Sequence, residues 1–226
     1  MDRRGAIQPV GTPDHGMTRF FERVLSSQQL AVLSDLAPAV AAGGFYLAGG
    51  TAVALHLGHR RSDDFDWFVE RFLHQPIDVA SSIRSAVAGF TVDQIEEGTV
   101  IGTVSGVKTS LLAFPYPRLA PLHDWQDRGV RIADVRDLAT MKLLAAVQRG
   151  TKRDFVDLYA LIESGQRLPD MLSDFAARFG VPDPVSVLRA LVYFEDAETD
   201  PMPDMLTAMT WNAVRTRLEQ EVERLV

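Results

Sequence analysis

Asp64 and Asp66 are the residues of this sequence whose type and spacing speak most directly of chemistry. In a strand, positions two apart point to one face, about 6.5–7 Å apart along the chain. Two carboxylates held that way repel each other unless a cation lies between them. Hard divalent cations such as Mg²⁺ or Mn²⁺ take oxygen ligands and complete their shells with water and substrate phosphates. Such carboxylates can bridge a metal pair about 3.5–4 Å apart for in-line phosphoryl chemistry. Just upstream, Gly49-Gly50-Thr51 sits between a short apolar run and a short helix. A helix N-terminus exposes unpaired N–H groups, and glycines there let a phosphate approach the backbone. Each feature alone has a plainer reading. Thr51 would cap a strand-to-helix turn, and Asp63-Asp64 would belong to a solvated turn after His59-Arg60-Arg61. The order of glycine turn, helix and acidic strand favours a polyphosphate cradle beside a metal-binding pair.

A second constellation lies downstream. On a helical wheel Leu138, Lys142, Ala145, Ala146 and Arg149 share one stripe, and Met141, Leu143, Leu144 and Val147 cover most of the rest. The helix is therefore apolar nearly all round, with a cationic seam made by Lys142 and Arg149. A buried lysine needs an anionic partner, and phosphate is one candidate. In the next helix Asp154 falls inside the apolar arc and Asp157 at its edge. A structural ion pair between Lys142 and Asp154 is a compatible account. Ser62, two residues before Asp64, caps the turn ahead of the strand or adds a hydroxyl to the nucleotide side. His15, His56, His59, His74 and His123 show no metal-ligand spacing. His59 is within reach of the glycine turn, though a surface or helix-end role suits it better. There is no cysteine, so disulfides, thiolate metal sites and cysteine nucleophiles are excluded. No Ser/His/Asp triad signature and no Walker-type loop is present.

Positioning these groups requires a mixed front half. Strands are predicted over 45–48, 65–69, 90–95, 100–104, 107–114 and 130–132. The helices of this half are predicted over 17–42, with a break near Ser26-Ser27, then 51–57 and 77–87. Pro115, Pro117 and Pro121 force a loop. After Asp134 only helices follow: 135–148, 152–162, 168–179, 184–193 and 212–226. The expected organisation is a loose leader over 1–16, an α/β core over 17–133 and an all-helical part over 134–226. The fold class is α+β.

The formal net charge of −7 argues against a generic basic nucleic-acid binder. Residues 181–226 alone carry −5 of it, so the rest of the chain is close to neutral and a nucleotide or RNA ligand stays open. There is no apolar run long enough for a secretory signal or a membrane span, and a cytoplasmic setting is expected.

The run Gly49-Gly50-Thr51-Ala52 followed by Gly58-His59-Arg60-Arg61-Ser62-Asp63-Asp64-Phe65-Asp66-Trp67-Phe68 resembles the nucleotidyltransferase toxins of AbiE-type abortive-infection, or type IV toxin–antitoxin, systems. The later run Asp137-Leu138-Ala139-Thr140-Met141-Lys142, continued by Arg149-Gly150-Thr151-Lys152-Arg153-Asp154-Phe155-Val156-Asp157-Leu158, is similar to that family's second signature. The resemblance implies a DNA polymerase β-like nucleotidyltransferase fold, with a mixed sheet, flanking helices and a helical C-terminal part. It implies that Asp64 and Asp66 bind Mg²⁺ or Mn²⁺, and that Gly49, Gly50 and Thr51 form the nucleotide-phosphate turn. Lys142, with Arg149, stands at the phosphates; Asp154, with Asp157 beside it, takes the later acidic position, orienting Lys142 or acting as base. The substrates implied are an NTP and an RNA acceptor, possibly a tRNA 3′ end, with a cognate antitoxin as partner. One departure is visible: many polymerase β-like enzymes carry a third metal carboxylate on a later strand, and 107–112 has none. Two other readings remain. An antibiotic-modifying nucleotidyltransferase would use the same carboxylates on an aminoglycoside-like hydroxyl, with the acidic segment 195–204 suiting a cationic acceptor. A nucleotide- or partner-binding module would keep a vestigial site.

Overall fold

The computed structural model describes residues 19–181 and 183–225, so the leader expected over 1–16 lies outside the described residues. The first helical stretch is divided where the sequence suggested a break. A 3-10 turn covers Glu22–Val24, and α1 runs Ser27–Ala42. Ser26 starts α1 with a capping box: its Oγ accepts from the Gln29 backbone N–H (3.1 Å), and Gln29 Oε1 accepts from the Ser26 N–H (2.8 Å). The remaining front-half elements are β1 (Tyr46–Ala48), α2 (Gly49–Leu57), β2 (Phe65–Val69), α3 (Pro76–Ala86), β3 (Thr91–Glu96), β4 (Thr99–Val104), β5 (Val107–Ala113), β6 (His123–Trp125) and β7 (Val130–Ile132). They form one seven-stranded sheet in the order β3-β4-β5-β2-β1-β7-β6. Pairs β2–β5 and β1–β7 are parallel and the others antiparallel.

Strand β2 is therefore the central strand, fourth of seven. Its alternation divides labour by face. Phe65 and Trp67 are fully buried, and Trp67 Nε1 donates to Thr109 Oγ1 of β5 at 3.1 Å. α3 packs on β3 and β4, and α1 lies beside it, reaching from β5 across to β7. Asp66 is left on the opposite face, against α2.

Helices alone follow Asp134, which caps α4 (Val135–Gln148) by accepting from the Arg136 N–H at 2.8 Å. Then come α5 (Lys152–Glu163), α6 (Leu168–Phe179), α7 (Val185–Leu191), the short α8 (Glu195–Glu198) and α9 (Trp211–Glu223). α4 packs against α5, α6, α7 and α2 at once, which is why its apolar side chains surround it. Strand β6 and helix α8 were not expected from the sequence. Both are three or four residues long, too short for periodicity to register. Among the described residues no helix is long and apolar enough to cross a membrane.

Candidate active site

Gly49 begins α2 directly after β1, with a φ of +66°. That conformation favours glycine, and a second constraint acts at the same atom: a Cβ there would lie 2.6 Å from Asp66 Oδ2. Gly50 is equally committed, because a Cβ would collide with Arg60 Nη2. The glycine pair thus makes room for the acid on one side and a guanidinium on the other. No side chain caps the N-terminus of α2, so its first N–H groups are not taken up that way. Thr51 does something other than cap. Its buried Oγ1 shares a hydrogen bond with Ser62 Oγ (2.7 Å) and donates to the Asp64 carbonyl. Both hydroxyls pin the segment that enters β2 and so fix where Asp64 stands. Gly49→Ala is expected to lower stability by about 1–3 kcal/mol, combining left-handed strain with displacement of Asp66. Chemical denaturation compared with Gly44→Ala, a positive-φ glycine with nothing near its Cβ, separates the two contributions.

Asp64 immediately precedes β2 and Asp66 lies within it; both are half-buried. Burial pushes the Asp66 carboxyl up, and the Asp64 charge pushes it further; a hydrogen bond from Ser110 and the charges of Lys142 and Arg149 pull it back only in part. An acid pair in which one charge opposes ionisation of the other suits a cation held between the two carboxylates. Ser110 is the register partner of Asp66 on parallel β5, so a hydroxyl stands beside Asp66 on the strand that carries no third carboxylate. Among the described residues no group of three or more His, Cys, Asp or Glu side chains is gathered to hold a metal ion. The oxygen set fits a hard cation that completes its shell with substrate phosphates and water, and does not form an all-protein cage.

The helical half supplies the cations. Lys142 Nζ lies 2.9 Å from Asp154 Oδ1 and 2.7 Å from Asp157 Oδ2, with all three side chains buried. Arg149 closes α4 and grips Asp154 through Nε (2.9 Å) and Nη2 (3.1 Å), while Thr151 Oγ1 donates to the same carboxylate at 2.7 Å. Burial raises the Asp154 carboxyl, but Lys142 and Arg149 outweigh it and hold it below the carboxylate range. Burial pulls Lys142 down, and Asp157 and Asp154 overcome that. Arg149 keeps 62% of its side chain exposed against 6% for Lys142. Its outer face is the part of the seam open to a ligand.

Asp157 is the hub behind this seam. Its Oδ1 accepts from Arg60 Nε (2.7 Å) and pairs with His59 Nε2 (2.8 Å); its Oδ2 accepts from Arg60 Nη2 (2.9 Å) and meets Lys142. Despite its own burial, Arg60 and Lys142 hold it well below the usual range. The carboxylate has no free edge and no exposure, so it touches other residues of the protein and not a nucleotide. His59 likewise is buried, and burial lowers its pKa. The sequence reading gave Arg60 no role of its own. In the structure it is buried and bidentate on Asp157. The available clue was Asp157 itself, an acid at the edge of an apolar arc that required a cation.

The acidic segment 195–204 is spent largely within the molecule. Glu198 accepts from Trp211 Nε1 (3.0 Å) and Arg215 Nη1 (2.8 Å), Asp200 accepts from the Lys152 N–H (3.0 Å), and Asp204 pairs with Arg61 (3.1 Å). Asp196, of the same segment, lines a cavity at the C-terminal end of α4.

Comparison with known proteins agrees with this geometry. Residues 106–224 match the family described as nucleotidyl transferase AbiEii toxin, type IV TA system. An uncharacterized protein of Aquifex aeolicus is 34% identical over 186 residues, covering 81% of this chain and 89% of that protein. Among solved structures, JHP933 from Helicobacter pylori superimposes with a TM-score of 0.53 at 19% identity, covering 91% of this chain and 92% of the other. MenT4, a nucleotidyltransferase toxin from Mycobacterium tuberculosis, gives 0.51 at 14% identity, with 88% of each chain covered. At those identities the two structures speak for the fold, a nucleotidyltransferase-like mixed sheet with a helical C-terminal region. The first signature, with its two acids, falls outside the matched family region, but its strand is the sheet's centre and its acids face the second signature. Gly49 lies against Asp66, and the charges of Lys142 and Arg149 reach that carboxyl; on the family match and the Aquifex relative, the chain belongs to the AbiEii family of nucleotidyltransferase toxins of type IV toxin–antitoxin systems.

Proposed function

We propose that this chain transfers a nucleotide from an NTP to a hydroxyl of an RNA acceptor, with a tRNA 3′ end as the specific candidate. The observation that carries the reading is the half-buried Asp64–Asp66 pair, set against a helix N-terminus with no side-chain cap and facing the Lys142–Arg149 seam. In the reaction the acceptor oxygen bonds to the α-phosphorus, the bond from that phosphorus to the bridging oxygen breaks, and pyrophosphate leaves; the hydroxyl proton passes to solvent. Asp64 and Asp66 would hold Mg²⁺ or Mn²⁺, which when bound neutralises phosphate oxygens and lowers the pKa of the acceptor hydroxyl. The first N–H groups of α2 receive phosphate oxygens. Arg149 offers its outer N–H groups to the triphosphate, and Lys142 adds fixed positive charge behind it. Asp154 is a positioning residue. Held below the carboxylate range by two cations, it is a poor base and a good clamp for Lys142 and Arg149. Asp157, Arg60, Thr51 and Ser62 keep the turn and the seam in register.

Incubation with α-labelled NTPs, Mg²⁺ and total RNA tests this. Label joined to RNA termini, matched by pyrophosphate release and lost with chelator, is the expected result. Label appearing only on an aminoglycoside would replace RNA as the acceptor class, and nucleotide binding without transfer to any acceptor would end the enzymatic reading. As a toxin, the protein should arrest growth on expression, with relief by a cognate antitoxin encoded beside it.

A further inference from the structure

The C-terminal end of α4 and the α7–α8 segment enclose a cavity of about 390 Å³, whose walls include Val147, Arg149, Gly150, Arg189, Tyr193 and Asp196. That volume is within the range of small-ligand sites. Three features make its chemistry specific. First, Arg149 belongs to two walls: it clamps Asp154, feels the charges of Asp66 and Asp64, and also lines the cavity. Secondly, Arg189 is exposed and makes no salt bridge or side-chain hydrogen bond among the described residues. In an acidic chain that pairs most of its buried and half-buried arginines, an unpaired guanidinium beside a cavity is a vacant anion or stacking site. Thirdly, the Tyr193 ring is 52% exposed, with its hydroxyl tied to Glu195 at 3.1 Å, and Val147 beside the same cavity is 41% exposed. The tether limits the ring's freedom while leaving its face open.

An exposed aromatic face, an apolar neighbour, two guanidiniums and one carboxylate match a single nucleotide unit. Unstacked bases lie on aromatic rings or guanidinium planes, cations take the phosphate, and a carboxylate accepts from an exocyclic amine or a ribose hydroxyl. A purely apolar ligand would leave both guanidiniums unused. We propose that this cavity is a nucleotide subsite, with the phosphate at Arg149 and the base against Tyr193 and Arg189. The proposal rests on the transferase reading and extends it, since it carries the substrate beyond the signature residues to α7, which neither signature includes. The unit comes from one of two sources, the nucleoside of the NTP or the terminal nucleotide of the RNA acceptor.

The test measures dissociation constants of the full chain for two probes, using wild type and the pair Tyr193→Ala/Arg189→Gln. One probe is an α,β-methylene NTP analogue of each base; the other is a single-stranded RNA oligonucleotide with a free 3′ hydroxyl. Both substituted residues are exposed, and unchanged melting of the variant verifies the fold. Binding of one probe should weaken about tenfold or more, the scale of one lost base stack, and which probe weakens identifies the source. Equal constants for both probes in variant and wild type, or no binding of either by wild type, overturns the subsite. A weakening in the variant together with a wild type that transfers no nucleotide removes the transferase reading instead, so the two failures are distinct.

Discussion

Asp66→Asn should abolish transfer and, at the same time, make the protein more stable at neutral pH. The loss follows from removing one of two oxygen donors for a divalent cation: several kcal/mol of transition-state stabilisation correspond to about a thousandfold or more in kcat. The gain follows from the pKa. Burial and the Asp64 charge raise the Asp66 carboxyl above its unfolded value. Its protonated form is therefore favoured by folding, and stability falls as pH rises from the ordinary carboxylate range through the folded pKa. Asparagine removes that penalty while keeping an oxygen for Ser110. The melting midpoint should rise by about 2–4 °C for each kcal/mol relieved. The variant's stability should also lose the decline that wild type shows on leaving mildly acidic pH. An active Asp66→Asn, or one that melts lower than wild type at pH 7, would contradict this account of the acid pair.

Lys142→Met should be the most damaging change to the fold. It leaves Asp154 Oδ1 and Asp157 Oδ2, now 2.9 and 2.7 Å from the ammonium, facing an apolar side chain in a site closed to water. Removing one member of a buried ion network costs up to about 3–5 kcal/mol; Arg149 still pairs Asp154 and Arg60 still pairs Asp157, but both buried carboxylates lose a charged donor. Activity will fall as well, so activity alone does not separate a structural from a catalytic role. The double variant Lys142→Met/Asp154→Asn does. It removes one of those charges, and since Arg149 is largely exposed it tolerates a neutral partner, so much of the stability should return. If Lys142 also serves the phosphates, transfer stays low in the restored protein. Recovery of both together would make the lysine a structural element only.

Most of the architecture was legible because its signals were strong: glycine pairs at both ends of β1, an acid between Phe65 and Trp67 in an otherwise apolar run, and a second half with helical periodicity throughout. The pairing of Lys142 with Asp154 was legible too, since each was a charge on an apolar stripe. What the sequence hid was third-party contact. Nothing in the neighbourhood of Arg60 distinguishes it from its exposed neighbour Arg61. Its burial is decided by Gly50, which has no side chain to block it, and by Asp157 almost a hundred positions away. Thr51 and Ser62 were read as cap or ligand for a related reason. Their hydroxyls meet each other only after β1 and β2 pair, a register that local propensity does not encode.

The Arg60–Asp157 bond joins the stretch between α2 and β2 to α5, in a spot without solvent and directly behind Gly50. Sheet and helical bundle are thereby tied together beside the candidate site. Under the proposed transfer, a nucleotide would meet a wall that this bond holds in place, and an antitoxin would act by covering that wall instead of prising the two layers apart.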